Sequence, residues 1–141
     1  MLRILGQISI FGTKAGIERF ISLAPIPNGA ITRVGGSRIV PDVDSWCYAS
    51  PWYRFRGDTL DDEIRHFLIT QGYFGSALIT CGADITYAFF TLCPIEQNED
   101  EAFSCLLQHE TLNALADSAL AFQIAPASVM PDVAYWLKKD S

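Results

Sequence analysis

The hydrophobic pattern of the first 24 residues changes its period partway along, and this change constrains the fold more than any other feature of the chain. Residues 2–11 alternate apolar and polar side chains, the period of two that is typical of a half-buried strand. After Thr13, which can cap a helix, apolar residues recur at helical spacing as far as Ala24. "PIPNG" then ends a helix predicted over residues 14–23. The chain therefore opens with a strand and continues into a helix.

The same two periods predict the remaining elements. A second helix begins at a cap on Asp58 or Thr59 and ends before Gly72, and a third covers residues 109–118. Residues 51–58 are predicted as a loop, and residues 82–84 as a tight turn between two strands. The predicted strands after the first one are 30–34, 45–50, 76–81, 85–93, 102–108 and 120–126.

This order contains local hairpins and lacks the regular alternation of strand and helix that marks a parallel α/β fold. It predicts an α+β fold, with a mixed, mainly antiparallel sheet and the helices packed on one face. A length of 141 residues fits one domain, so residues 1–141 are taken as a single domain that ends in a C-terminal tail, residues 127–141. Strands 76–81 and 85–93 are expected in the middle of the sheet, because both of their faces are apolar.

The charge balance limits the partners of the chain. Sixteen acidic and ten basic residues give a formal net charge of −6. This balance disfavours nucleic acids and anionic membrane surfaces, and it favours basic partners. The amino terminus carries no signal-peptide pattern, and the apolar region from Tyr73 to Cys93 is interrupted before it reaches the length of a membrane helix. We therefore expect a soluble protein that binds neither nucleic acid nor membrane.

The cysteines and histidines have no spacing typical of a metal site. Cys47, Cys81, Cys93 and Cys105 include no C-x-x-C pair, which predicts reduced thiols, a cytoplasmic location and neither metal nor cofactor. Two pairs four residues apart, Asp62 with His66 and Cys105 with His109, are weak candidates for catalysis because no nucleophile motif accompanies them. A solvated pair on a helix face for Asp62 with His66, and a buried thiol beside a helix-capping turn for Cys105 with His109, are the simpler explanations.

Two stretches have the composition of a binding surface. Glu96, Glu99, Asp100 and Glu101 form an acidic turn, a natural electrostatic contact for a basic protein, although a plain solvated turn has the same composition. The second stretch combines aromatic and guanidinium groups, which are enriched at binding hot spots, in Trp52, Tyr53, Arg54, Phe55 and Arg56. Alternatively, Trp52 and Phe55 cover the sheet edge while the arginines pair with Asp58 and Asp61.

Residues 30–126 resemble a bacterial family of small α+β domains. The likeness lies in the strand region "GSRIVPDVDSWCYAS", the helix "TLDDEIRHFLITQ" and the terminal "HETLNALADSALAFQIAP", although the last strand ends in "QIAP" where an aromatic end is expected. Some members of that family are similar to immunity proteins encoded beside contact-dependent or other polymorphic toxins. The resemblance implies a cytoplasmic binding protein that neutralises a cognate toxin and has no catalytic residues.

We therefore expect a binding protein that is not an enzyme, and whose partner is the C-terminal domain of a cognate basic toxin such as a nuclease. The chain itself is expected to be a monomer or a weak homodimer. Two alternatives remain open at this point: a homo-oligomeric module and a small enzyme that uses cysteine or histidine. The predicted partner-binding residues are Glu96, Glu99, Asp100, Glu101, Asp61, Asp62, Trp52, Tyr53 and Arg54.

Overall fold

A computed structural model describes residues 3–33, 46–56, 59–70, 74–95 and 106–125. Within these ranges the chain forms four helices and a six-stranded, mostly antiparallel sheet, which confirms the predicted α+β fold. The helices are α1 (Lys14–Leu23), α2 (Leu60–Thr70), α3 (Phe74–Cys81) and α4 (His109–Ser118). The strands are β1 (Arg3–Gly12), β2 (Ala30–Arg33), β3 (Trp46–Ala49), β4 (Tyr53–Arg56), β5 (Ile85–Ile95) and β6 (Ala121–Ile124).

The sheet is built around its two longest strands, β1 and β5. Its order is β2-β3-β1-β5-β6, and β4 pairs with the first part of β1 beyond the end of β3. All of these pairs are antiparallel except β5 with β6. Strand β5 lies between β1 and β6, so residues 85–93 are inside the sheet as predicted.

Strands β3 and β4 run along the same edge of β1 and are separated by Ser50, Pro51 and Trp52. Ser50 bridges the break, since its backbone N–H donates to the Ile8 carbonyl (2.9 Å) while its Oγ accepts from the Ile8 N–H (2.9 Å). The Ser50 carbonyl, which would accept from the Ile8 N–H in a regular antiparallel pair, accepts instead from the Gln7 side-chain amide (3.0 Å), and the Ser50 hydroxyl takes its place. Predicting residues 51–58 as a loop was therefore wrong for β4: Phe55 is buried, and Arg54 and Arg56 are exposed.

The core lies between the helices and one face of the sheet. The inward side chains of this face come from positions that the strand register places side by side, such as Ile8 opposite Phe90 and Ile10 opposite Tyr48. All four helices contribute to the same core, which confirms that they pack on one face. Their buried contributions include Ile17, Phe20, Ile64, Leu68, Phe74, Ala77 and Leu115.

Helix α1 begins as predicted, because the Thr13 side chain accepts a hydrogen bond from the Gly16 N–H at 3.0 Å. The turn that follows α1 is fastened to the sheet by Tyr48. Its hydroxyl accepts from the Ile26 N–H (2.8 Å) and donates to the Ile26 carbonyl (3.0 Å). The ends of this helix are therefore fixed by side chains as well as by the backbone.

Predicting residues 76–81 as a strand was wrong, because this segment lies in α3. Its buried side chains, Phe74, Ala77 and Cys81, recur at helical spacing, and a 3₁₀ turn over Gly82–Asp84 replaces the predicted hairpin. A Cβ on Gly75 would lie 2.1 Å from the Asp117 carbonyl oxygen, so glycine lets α3 approach α4 closely.

Two predicted segments remain, 102–108 and the C-terminal tail. Residues 106–108 are not in a strand, contrary to the prediction for 102–108. The tail, residues 127–141, lies outside the described residues.

Candidate partner-binding surface

The first turn of α2 carries three consecutive acids, Asp61, Asp62 and Glu63. The positive end of the helix dipole stabilises carboxylates at this position, so the cluster is compatible with a stable helix. The three side chains have different surroundings. Asp62 is 72% exposed and Asp61 only 17% exposed, while Glu63 accepts a hydrogen bond from the Arg56 backbone N–H at 2.6 Å.

Arg65 lies between carboxylates from two helices. Its guanidinium is 3.3 Å from Asp61, 2.5 Å from Asp62 and 3.7 Å from Glu110 of α4. One positive charge is thus shared by three negative ones, two of which, Asp62 and Glu110, have more than half of their side-chain surface exposed. The surface around Arg65 therefore remains negative.

Asp61 holds the two helices together. One of its carboxylate oxygens accepts from the Gln108 N–H, the residue that precedes α4, at 2.8 Å, while the other faces Arg65. Because the side chain is largely covered, its first effect is to position the amino end of α4 against α2. Direct contact between Asp61 and a partner stays a prediction.

A groove of about 330 Å³ runs between α2 and α4. Apolar side chains, including Ile69, which is 66% exposed, line one part of it. The carboxylates of Glu110 and Asp117 line another part. An apolar wall beside acids suits a partner segment that carries both an aliphatic and a basic side chain.

A second cleft, of about 440 Å³, brings together two predicted sets of site residues. Tyr53 and Arg54 of β4 line it together with Asp62 and His66 of α2. The Tyr53 ring packs on Phe67, with ring centroids 4.7 Å apart. Burial, and to a smaller degree Tyr48, raises the pKa of Tyr53, which keeps its phenol neutral and able to donate a hydrogen bond.

Trp52 does not have the exposure expected of an anchor. It is 6% exposed and Phe55 is 8% exposed, which agrees with the alternative in which these rings cover the sheet. The Trp52 indole N–H is buried without a hydrogen-bond partner. Asp61 pairs with Arg65 rather than with an arginine of β4. Of the aromatic stretch, Tyr53 and Arg54 are the predicted site residues that line a cleft.

The acidic turn predicted as a contact, formed by Glu96, Glu99, Asp100 and Glu101, lies outside the described residues. Glu110 and Asp117 were missed by the sequence predictions. They are seven residues apart on α4, a spacing that places both on one side of a helix, and this signal could have identified them.

Only one of the two pairs considered for catalysis lies wholly within the described residues, and Asp62 and His66 of that pair line one cleft. Asp62 pairs with Arg65, His109 is 83% exposed, and Cys105 lies outside the described residues. Burial raises the pKa of Cys81 and Cys93, which keeps both as poorly nucleophilic thiols.

The described residues contain no group of three or more histidine, cysteine or acidic side chains able to hold a metal ion. No helix among them has the length and apolarity needed to cross a membrane.

Compared with known proteins, the chain matches no family model, and no curated protein or solved structure is significantly similar to it. The resemblance to immunity proteins therefore stays a prediction.

Proposed function

We propose that this chain is an immunity protein that acts in the cytoplasm by binding and neutralising a basic toxin domain, and that it is not an enzyme. The partner would lie on the surface formed by α2 and α4, with Asp62, Glu110 and Asp117 as its acidic contacts. Tyr53 and Arg54 would extend this surface along the neighbouring cleft.

One observation carries this proposal: three carboxylates from α2 and α4 share the single positive charge of Arg65. A surface with such an excess of negative charge attracts a cationic partner, and the attraction speeds the first encounter. The apolar part of the adjoining groove, which includes Ile69, adds area that a partner could bury. Acids and apolar groups together give both a fast approach and a slow release.

A nuclease domain is the kind of basic toxin that this surface fits best. Such a domain needs a cationic groove to hold the phosphates of its substrate. Carboxylates spaced along α2 and α4 would occupy that groove in place of phosphates. Neutralisation would then require only a stoichiometric complex.

The first test is co-expression with the C-terminal domain of the protein encoded immediately upstream, scoring cell survival and then co-purification. Rescue together with a one-to-one complex is the expected result. Killing that continues in the presence of the folded chain, or rescue without a complex, would overturn the proposal. The affinity should also fall as salt rises, because the attraction is between opposite charges.

Charge reversal identifies the surface. The double variant Asp62→Lys with Asp117→Lys should lower the affinity at least about tenfold, because like charges would then face the toxin. Glu18→Lys on α1 is a control of the same type, since Glu18 is also an exposed helix acid. A double variant that binds as tightly as the Glu18 variant would exclude α2 and α4 as the site.

A further inference from the structure

The sheet has a second face, opposite the helices, and this face is divided into two halves. One half is buried and includes Leu5, Gln7, Thr91 and Cys93. The other, which we name the open half, consists of partly or fully solvent-exposed side chains from five strands. The strand register places them on one face: Ser9, Phe11, Ala30, Thr32, Cys47, Ala49, Tyr87, Phe89, Ala121 and Gln123.

An aromatic row crosses the open half. Phe11 and Phe89 meet edge to face with ring centroids 6.1 Å apart, and Tyr87 stacks on Phe89 at 5.8 Å. Tyr87 is 49% exposed. Exposed aromatic groups of this kind are enriched where proteins bind one another.

None of the ten described side chains of the open half carries a charge, although the chain as a whole has a net charge of −6. Acidic surfaces of two identical copies repel each other, as the surface around Asp62 and Glu110 would. The open half is a place where two copies can meet without placing like charges in contact. Its lack of charge also makes it a poor match for the basic partner proposed above.

The size of the open half suits a weak dimer. Five strands about 4.8 Å apart, each contributing two side chains to this face, cover roughly 300–400 Å² in projection. A standard stable interface buries about 800 Å² on each partner. Two copies joined here would therefore exchange readily between monomer and dimer.

We propose that the open half is a self-association surface, on which a second copy of this chain stacks its own open half face to face. The complex is a symmetric dimer with two packed sheets inside and the helices outside, and sheets packed in this way lie about 10 Å apart. Its dissociation constant is on the order of 100 µM. The acidic surface of α2 and α4 stays available on both copies, so self-association is independent of the proposed toxin binding.

Sedimentation equilibrium of the full chain tests this inference. The average mass should rise from 15.6 kDa toward twice that value as the concentration increases from about 10 µM to about 1 mM. Added salt should strengthen the dimer, because it screens the repulsion between two acidic copies while leaving an uncharged interface intact. A chain that stays monomeric throughout this range, or a dimer that weakens with salt, would overturn the inference.

Two variants place a carboxylate in the open half from different strands, Tyr87→Asp and Thr32→Asp. Symmetry introduces each new charge twice, so each variant should weaken the dimer at least about tenfold. Ile79→Asp on α3 is the matched control, because Ile79 is 80% exposed but lies on the helical side. Circular dichroism and thermal unfolding verify that each variant is folded.

The variants also separate self-association from other uses of this face. Equal dimerisation of the Thr32 and Ile79 variants would show that another surface joins the copies, and would refute the inference. Loss of toxin binding in Tyr87→Asp and Thr32→Asp, with a wild-type chain that stays monomeric, would assign the open half to the toxin instead.

Discussion

Two pairs of helices cover the same face of one sheet, and they differ sharply in chemistry. In the pair α1 and α3, the rings of Phe20 and Phe74 stack with centroids 6.0 Å apart, and α3 carries no charged residue. In the pair α2 and α4, acids surround Arg65 beside a groove. The first pair is organised by apolar contact and the second by charge.

The difference suggests that the two helix pairs contribute differently to stability and to partner binding. Burial of apolar side chains is the main favourable contribution to the stability of a domain, whereas exposed charges contribute little to stability and much to association. Substitutions of the buried rings of α1 and α3 should therefore change the free energy of unfolding, while those of the exposed acids of α2 and α4 should change the binding of a partner. The following predictions test how far this separation holds, beginning with the largest effect on stability.

Phe74→Ala should destabilise the protein by about 3–5 kcal/mol, because it empties a fully buried aromatic site. Urea unfolding followed by circular dichroism measures the change in the free energy of unfolding. Leu112→Ala on α4, where the side chain is 51% exposed, is the control and should stay within about 0.5 kcal/mol. Similar losses in both variants would show that the burial of Phe74 is not what stabilises the protein.

Gly75→Ala should cost about 1–3 kcal/mol, because the new Cβ would lie 2.1 Å from the Asp117 carbonyl oxygen and force α3 away from α4. The substitution also tests whether the two helix pairs are independent, because Gly75 of α3 lies against α4. A displaced α4 would move Glu110 relative to Asp62, so partner binding should weaken as well. Thermal unfolding and an affinity measurement on the same sample provide the two readouts.

Ile79→Ala is the control for Gly75→Ala, because Ile79 lies on the same helix and its side chain is 80% exposed. It should leave both stability and binding nearly unchanged. If Gly75→Ala lowered stability without any effect on binding, the two helix pairs would be mechanically independent.

The sequence predicted the elements whose periodicity is long and clear. The positions of α1, β1 and α4 were predicted, because each presents one apolar side over three turns or several alternations. The short segment 76–81 of α3 was predicted as a strand, since a run of six residues, four of them apolar, fits either period. As a helix, it makes contacts with residues that are distant in sequence, such as that between Gly75 and Asp117.

The candidate site was predicted only in part, for a similar reason. Asp61 and Asp62 could be placed on an exposed helix start from local pattern alone. Their meeting with Glu110 requires α4 to pack beside α2, across more than forty residues of chain. Strand β4 was missed because Pro51 suggests a loop, while the hydroxyl of Ser50 accepts from the Ile8 N–H and keeps the chain on the edge of β1.

Asp61→Ala should cost about 1–2 kcal/mol, because it removes the acceptor for the Gln108 N–H and one partner of Arg65. The amides at the start of α4 should then exchange faster, which hydrogen exchange can measure. Asp61→Asn keeps an acceptor for Gln108 and should lose less than half as much stability. Equal losses in the two variants would show that charge, rather than the link to α4, is what Asp61 contributes.

Glu110→Gln should have the smallest effect on stability, within about 0.5 kcal/mol, because its side chain is 55% exposed and 3.7 Å from Arg65. Binding of a basic toxin domain should nevertheless slow. Removing one exposed charge lowers the association rate about two- to fivefold and changes the dissociation rate less, since attraction acts during approach. Stopped-flow kinetics at low and high salt measures both rates.

Arg65→Gln should change the association rate in the opposite direction to Glu110→Gln. It removes the positive charge that the three carboxylates share, so the association rate should rise while stability falls slightly. High salt should bring the rates of the Glu110 and Arg65 variants together with that of the unmodified chain. If both variants slowed association equally at every salt concentration, the α2 and α4 surface would act through its shape and not through its charge.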